Sequence, residues 1–303
     1  MSAPADLVVG VDLGGTRFRA AVAPADAGIP VVGSMIHLFD RPAPQRLFEL
    51  GAALDAALVS AAAHGSVSGL GVAVPGLVAG TTCRWVPNLP FLDGVDIAAI
   101  TARVVAVGND AHLALLAEAT EGAAAGRDDA LLLAIGTGIG SAVLTGGRIQ
   151  RGSCGAASSF GWACADTGDP GDDQLGWLER HAAGPVLDAL GAAMAPPVDG
   201  AGLVAAAARG DAVASDAVRA VAVSLGTALA GAVALLDPGV VIISGGVADA
   251  FDVLAPPLLE ALTRQLPPHL RHTEVRRGQL GAGAGLIGAL IAARHGTDLW
   301  ADR

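Results

Sequence analysis

Asp12-Leu13-Gly14-Gly15-Thr16 follows a short β-branched run and sets an acid, two residues without side chains and a hydroxyl in one tight turn. That combination suits phosphate. Glycines let phosphate oxygens approach backbone N–H groups, the threonine donates, and the carboxylate can hold the magnesium that accompanies a triphosphate. An ordinary glycine hairpin has the same letters, so the motif alone leaves both readings open. Gly136-Thr137-Gly138-Ile139-Gly140 repeats the device in the second half of the chain, followed by a strand where a dinucleotide fingerprint would demand a helix. Ser244-Gly245-Gly246 is a third turn whose backbone the nucleoside end of a nucleotide could approach. Asn109-Asp110 stands between a strand and a helix. Asp is a favoured helix cap, which is one reading. The other is a carboxylate kept ionised by the helix terminus, able to take a proton from a substrate hydroxyl as that oxygen attacks phosphorus.

The elements around these residues follow from periodicity. Leu7–Leu13 and Phe18–Ala23 read as a hairpin around the first turn, and Val31–Phe39 as a third strand. A helix is expected from Gln45 to His64, where Leu47, Leu50, Leu54, Ala57 and Leu58 recur at helical spacing. Next come a strand at Gly69–Val74, a helix near Ile97–Ala102, a strand at Val104–Val107 and a helix from Ala111 to about Glu121. Ala130–Ile135, Ser141–Leu144 and Arg148–Gln150 then repeat the strand-turn-strand opening. Helices follow at Gln174–Leu190, Ala201–Ala208 and Ala212–Leu236, then a strand at Val240–Ser244, a helix at Asp252–Gln265, a short strand at Val275 and a final helix at Ala282–Ala293. Each half starts with a β-turn-β unit carrying a Gly/Thr turn. This implies an α/β fold of two related lobes with a cleft between them.

Composition narrows the chemistry. The 303 residues are 52% hydrophobic and 16% charged, which excludes disorder and favours two domains with filled cores. All 18 basic residues are arginine, and tyrosine is absent. A Walker P-loop, a protein-kinase-like site and Schiff-base chemistry each need a lysine, so all three are excluded. The net charge of −11, with no long basic block, argues against a nucleic-acid partner. Cys83, Cys154 and Cys164 form no even framework and no C-x-x-C pair, which fits a reducing cytoplasm without disulfides. The uncharged stretches Ala56–Cys83 and Ala130–Gly147 are interrupted by glycine and proline or by a turn, so neither reads as a membrane span. The N-terminus lacks a basic n-region, so no signal peptide is expected.

Six segments in order, Asp12–Thr16, Gly71-Val72-Ala73-Val74-Pro75-Gly76, Val86-Pro87-Asn88-Leu89, Asn109-Asp110-Ala111, Gly136–Gly140 and Ser244–Gly246, resemble the ROK family of bacterial sugar kinases and sugar-responsive repressors. The resemblance spans nearly the whole chain. It implies the two-lobed actin-like (ribonuclease H-like) ATPase fold with the active site in the interlobe cleft. Residues 1–117 would form the first lobe and 118–303 the second, with a terminal helix at about 282–296 packing back on the first. It further implies Asp110 as catalytic base and Asn109, Glu179, Gly76 and Asn88 at the acceptor. Asp12, Gly14, Gly15, Thr16, Arg17, Gly136, Thr137, Gly138, Gly245 and Gly246 would surround ATP, with Asp12 on Mg2+. A homodimer is also implied.

The departures point to the acceptor. The family has Gly-Glu-x-Gly-His, whose glutamate and histidine bind sugar hydroxyls and whose histidine joins a cysteine cluster on a structural zinc. Here the segment reads Ser158-Ser159-Phe160-Gly161-Trp162, and Asp166–Gln174 replaces the cysteines. No zinc is expected. Ser159 and Trp162 thus take two sugar-binding positions, and Trp162 offers an apolar face. The expectation is an ATP- and Mg-dependent kinase of a hexose-like polyol. A C7-cyclitol is an alternative acceptor, and a non-catalytic sugar-binding or regulatory protein is an alternative function. The repressors' winged helix-turn-helix would have to precede the strand at Leu7, where the sequence leaves no room for it.

Overall fold

The computed structural model describes residues 5–26, 28–101, 105–157 and 159–295. The chain forms two compact units: residues 1–126, 148–157 and 283–303 make unit 1, and residues 127–147 and 158–282 make unit 2. The first boundary falls beyond the expected residue 117 because the helix Asp110–Glu121 is unbroken and packs as one piece in unit 1.

Unit 1 is built on a five-stranded sheet in the order Ile36–Pro42, Arg17–Pro24, Asp6–Leu13, Ser66–Val74, Val105–Asn109. The first three strands form an antiparallel meander, and the last three run parallel. In Asp6–Leu13 every residue after the first is buried, as expected of a strand covered on both faces. Val9, Val11 and Leu13 pack with Leu50 and Leu54 of the helix Leu47–Ala62. The opposite face takes the terminal helix Ala284–His295, which comes so close that a Cβ on Gly71 would lie 1.8 Å from the Ala289 carbonyl oxygen. On its other side, a Cβ on Gly288 would lie 1.9 Å from the Leu113 carbonyl oxygen of Asp110–Glu121. These glycines let backbone pack directly on backbone.

Unit 1 departs from the expected pattern at two places. Val31–Ser34 is a single helical turn and the strand starts at Ile36, because Glu121 accepts the amides of Val31 and Val32 at 2.7 and 3.0 Å and so caps the turn. A small hairpin, Leu77–Ala79 with Thr82–Trp85, turns at Gly80 with φ +62°, where pattern alone indicated nothing. The ends of two predicted elements, at Ala102 and Val104, lie outside the described residues, as does Ser158.

Unit 2 repeats the hairpin-plus-parallel-strand plan. Ala130–Ile135 pairs antiparallel with Ile139–Thr145 and parallel with Val241–Ser244, which pairs parallel with Val275–Arg277. Its helices pack around one core. The expected helix Gln174–Leu190 is two, Trp177–Ala182 and Gly184–Ala192, broken at Ala183, which is the extended N-cap of a second helix that carries Pro185 in its first turn. The 25-residue helix Ala212–Leu236 is long and apolar enough to cross a bilayer, but Val218, Ala222, Leu225, Leu229 and Val233 pack into the unit's core at helical spacing.

Candidate functional site

In unit 1 the predicted residues collect at the carboxyl ends of three parallel strands. Register aligns Asp12 with Ala73 and Ala73 with Gly108, and the next row joins Val74 to Asn109. The first turn closes with the Gly14 amide on the Arg17 carbonyl at 2.9 Å. Gly15 lies against Asn88, whose Cβ would be 3.0 Å from a Cβ built there. Gly76 is wedged against Trp85 and Val86. Thr16 is exposed, and Arg17 points outward in an ion pair with Asp40 at 2.8 Å.

Asn109, not Asp110, caps the helix. Its side-chain oxygen accepts the amides of Ala111 and His112 at 3.0 and 3.1 Å, and its Nδ2 donates to the Gly76 carbonyl at 3.0 Å. Asp110 is the first helical residue, and its Oδ1 accepts the Ala111 amide at 2.8 Å. The expectation that the helix terminus keeps this carboxylate ionised is overturned. Desolvation, then the negative charge of Asp12, push it up to about 7, against smaller lowering by backbone hydrogen bonds. Such a carboxyl is poised as a general base near neutral pH.

Asp12 is buried and ion-paired with Arg19, its cross-strand neighbour in the first hairpin. Burial still raises its carboxyl above the ordinary value, more than Arg19 lowers it. Counting across the turn would have found Arg19, since Leu13 opposite Phe18 puts residue 12 opposite residue 19.

In unit 2 the Gly136–Gly140 and Ser244–Gly246 turns lie side by side at the carboxyl ends of adjacent parallel strands, with Ser244 opposite Ala134. Gly245 has φ +81° and sits on Ile135, where a Cβ would be 2.5 Å from the carbonyl oxygen. Thr137 is exposed at the tip of its turn. Glu179 is drawn into the same group, its Oε1 accepting the Ile139 amide at 2.8 Å and its Oε2 the Gly176 amide at 3.4 Å. Gly161 packs on Glu179, which ties in the turn Phe160–Trp162. Ser159 precedes that turn, and Trp162 is 43% exposed. Beside Thr137 lies a hollow of about 270 Å³ walled by Glu179, Arg180, Ala183, Pro185 and Val186. Sequence reasoning missed this hollow. The Gly184-Pro185 helix start was its one signal, and the Gly184 amide donates to the Gly136 carbonyl at 2.7 Å.

The ROK family model matches residues 8–295. The chain belongs to the ROK family. It is 28% identical to a glucokinase of Streptomyces coelicolor over 95% of this chain and 98% of that one. Among solved structures, a ROK glucokinase from Streptomyces griseus in complex with glucose and AMPPNP is 29% identical, with a TM-score of 0.78 over 96% of this chain and all of that one. A ROK hexokinase from Thermus thermophilus is 32% identical, with a TM-score of 0.75 over 95% and 98% of the two chains. The fold is therefore that of the actin-like ATPases.

A thiolate-rich zinc site does not fit this ROK protein's donors. Cys164 Sγ donates to the Asp166 carbonyl at 3.1 Å, and among the described residues no three His, Cys, Asp or Glu side chains are grouped to hold a metal. Magnesium does fit unit 1, because it needs only one or two carboxylates besides phosphate and water oxygens. Asp12 and Asp110 are two carboxylates near enough for the charge of the first to raise the second.

Proposed function

We propose that this protein is a kinase that transfers the γ-phosphoryl group of ATP to a hydroxyl of a hexose-like polyol. The observation that carries the reading is Asp110, a half-buried carboxyl poised near neutral pH beside an asparagine oriented through Oδ1 and one N–H of Nδ2, which leaves its second N–H for a ligand. Asp110 accepts the acceptor hydroxyl's proton as its oxygen forms a bond to the γ-phosphorus and the bond to the β-bridging oxygen breaks. Asn109, Gly76 and Asn88 serve the acceptor. Glu179 is assigned to the acceptor as well, its Oε1 already accepting the Ile139 amide.

Gly14, Gly15 and Thr16 in unit 1 and Gly136, Thr137 and Gly138 in unit 2 offer donors to phosphate oxygens, and Arg17 adds its charge on leaving its exposed pair with Asp40. Gly245, Gly246 and the hollow at Thr137, Pro185 and Val186 receive the nucleoside. Asp12, with Asp110 near it, would hold Mg2+, which supplies positive charge to offset that of the phosphates. The relatives named glucokinase support the phosphoryl donor and the sugar-like acceptor. The exposed free thiols of Cys154 and Cys164 suit the reducing cytoplasm, where we place the protein as a homodimer.

Ser159 and Trp162 set the acceptor apart. An aromatic face discriminates less sharply than a site built to bond hydroxyls, so we infer an acceptor with fewer hydroxyls at that end, a C7-cyclitol being the candidate. The test is a coupled ADP-release assay over hexoses, N-acetylhexosamines and carbocyclic analogues, with wild type and a Ser159→Glu/Trp162→His double variant. The reading expects the wild type to favour a carbocyclic acceptor and the variant to move toward glucose. Equal efficiency of the wild type with glucose would reject the cyclitol, and no phosphorylation of any acceptor would reject the kinase.

A further inference from the structure

Arg180 borders the hollow beside Thr137, yet its guanidinium is held by three bonds to the loop before it. Its Nη1 and Nη2 grip Asp169 Oδ2 and Oδ1 at 3.1 and 2.8 Å, and its Nε donates to the Leu175 carbonyl at 3.3 Å. The two side chains are 26% and 10% exposed, whereas Arg17–Asp40, Arg127–Glu274 and Arg219–Glu260 all have both partners more than 40% exposed. Exposed pairs contribute little, but a bidentate, largely covered one fixes geometry.

Everything around Asp169 is organised by carboxylates. Asp166 accepts the Gly168 amide at 2.8 Å, Asp169 the Gly171 amide at 2.8 Å, and Asp172 the amides of Gln174 and Leu175 at 2.7 and 2.8 Å. Three successive Asx turns therefore stiffen the segment from within, and Arg180 joins it by side-chain hydrogen bonds to the helix that follows. Hydrogen bonds from Arg180 first, and from the Gly171 amide next, hold the Asp169 carboxyl below its ordinary value.

That helix, Trp177–Ala182, has six residues, too few to stand alone in water. Its orientation comes from its anchors: Trp177, Leu178 and Ala182 buried on one side, Arg180 on Asp169, and Glu179 on the Ile139 amide. Glu179 and Arg180 are consecutive, so rotating the helix to release one moves the other. We propose that Asp169 and Arg180 are positioning residues whose bidentate pair fixes the short helix so that Glu179 clamps the Gly136–Gly140 turn in its nucleotide-receiving shape. In this protein an ion pair and three Asx turns thereby brace a loop that carries a single cysteine and no histidine. The consequence for turnover rests on the kinase reading, but the clamp itself does not.

The test uses Asp169→Asn, which keeps an acceptor for the Gly171 amide but removes the charge, and Arg180→Lys, which keeps the charge but loses the fork. Either variant serves if the other fails to fold. Amide hydrogen exchange at Ile139 reads the clamp directly, with Glu179→Gln as reference. Exchange at Ile139 should quicken about tenfold in both variants, with a comparable rise in nucleotide KM, a rise in acceptor KM because Glu179 also serves the acceptor, and a nearly constant kcat. Unchanged Ile139 exchange in a folded variant would overturn the proposal even if the protein phosphorylates nothing. Unchanged nucleotide KM in an active enzyme would overturn its catalytic consequence, and exchange quickened equally at Ile139 and throughout the core of the unit would reduce the pair to general stability.

Discussion

Asn109 Nδ2 donates to the Gly76 carbonyl at 3.0 Å while its Oδ1 caps the helix that starts at Asp110. One side chain thus ties a loop, a strand end and a helix N-terminus to the carboxyl beside it. Asn109→Ala removes all three ties and should lower the unfolding free energy by about 1–2 kcal/mol in urea denaturation. Asn109→Asp keeps the cap acceptor and should recover part of that loss, but not the bond to Gly76. An alanine variant with the wild-type urea midpoint would mean that the cap is not formed in solution.

Replacing Asp110 by asparagine keeps the shape and removes the proton acceptor. Turnover is expected to fall by about 10²-fold or more while nucleotide affinity stays near wild type. Retention of more than about a tenth of wild-type turnover would take Asp110 out of the general-base role.

The raised Asp110 carboxyl also predicts two pH dependences of opposite sense. Activity needs the ionised form, so kcat/KM should climb with pH and level off above about 7. Stability runs the other way. Between the ordinary value of 3.8 and about 7 the folded protein holds a proton that the unfolded chain has released, so stability falls as pH rises through that window and is flat above it. Burial of Asp12 contributes a slope of the same sign, so the measurement is the difference between wild type and Asp110→Asn. Parallel stability curves for the two proteins would contradict the shift.

Metal content gives a further check. Elemental analysis of the purified protein is expected to find zinc far below one equivalent, and dialysis against a chelator should leave the melting temperature unchanged. One tightly held equivalent would mean that the alignment of Ser159 and Trp162 with the family's sugar-binding residues is wrong.

The glycine turns were legible because a tight turn between two strands must be spelled with particular residues, and so was the Asn109-Asp110 junction, where strand periodicity gives way to helix periodicity. Pairings set by long-range packing were not. Glu179 meets Ile139 across 40 residues, and neither segment carries a local sign of the other. Arg19 was within reach, since hairpin register dictates its partner once the turn is fixed. Splitting of the 174–190 helix shows a local rule outweighed by periodicity in the reading, because Gly184-Pro185 stands inside an otherwise regular apolar pattern. The small hairpin at Gly80 has strands of three and four residues, too short for alternation to register.

The close seating of Ala284–His295 on Gly71 and Gly288 bears on the order in which a ribosome can deliver a finished protein. Residues 127–147 and 158–282 emerge before that helix does, so the second unit can assemble while the first still lacks one covering of its sheet. Synthesis proceeds at roughly 5–20 residues per second, leaving the apolar face around Val8, Gly10 and Ala73 uncovered for many seconds on each nascent chain. The unit that begins first is therefore completed last, and in that interval a chaperone would find the strands at the start of the chain.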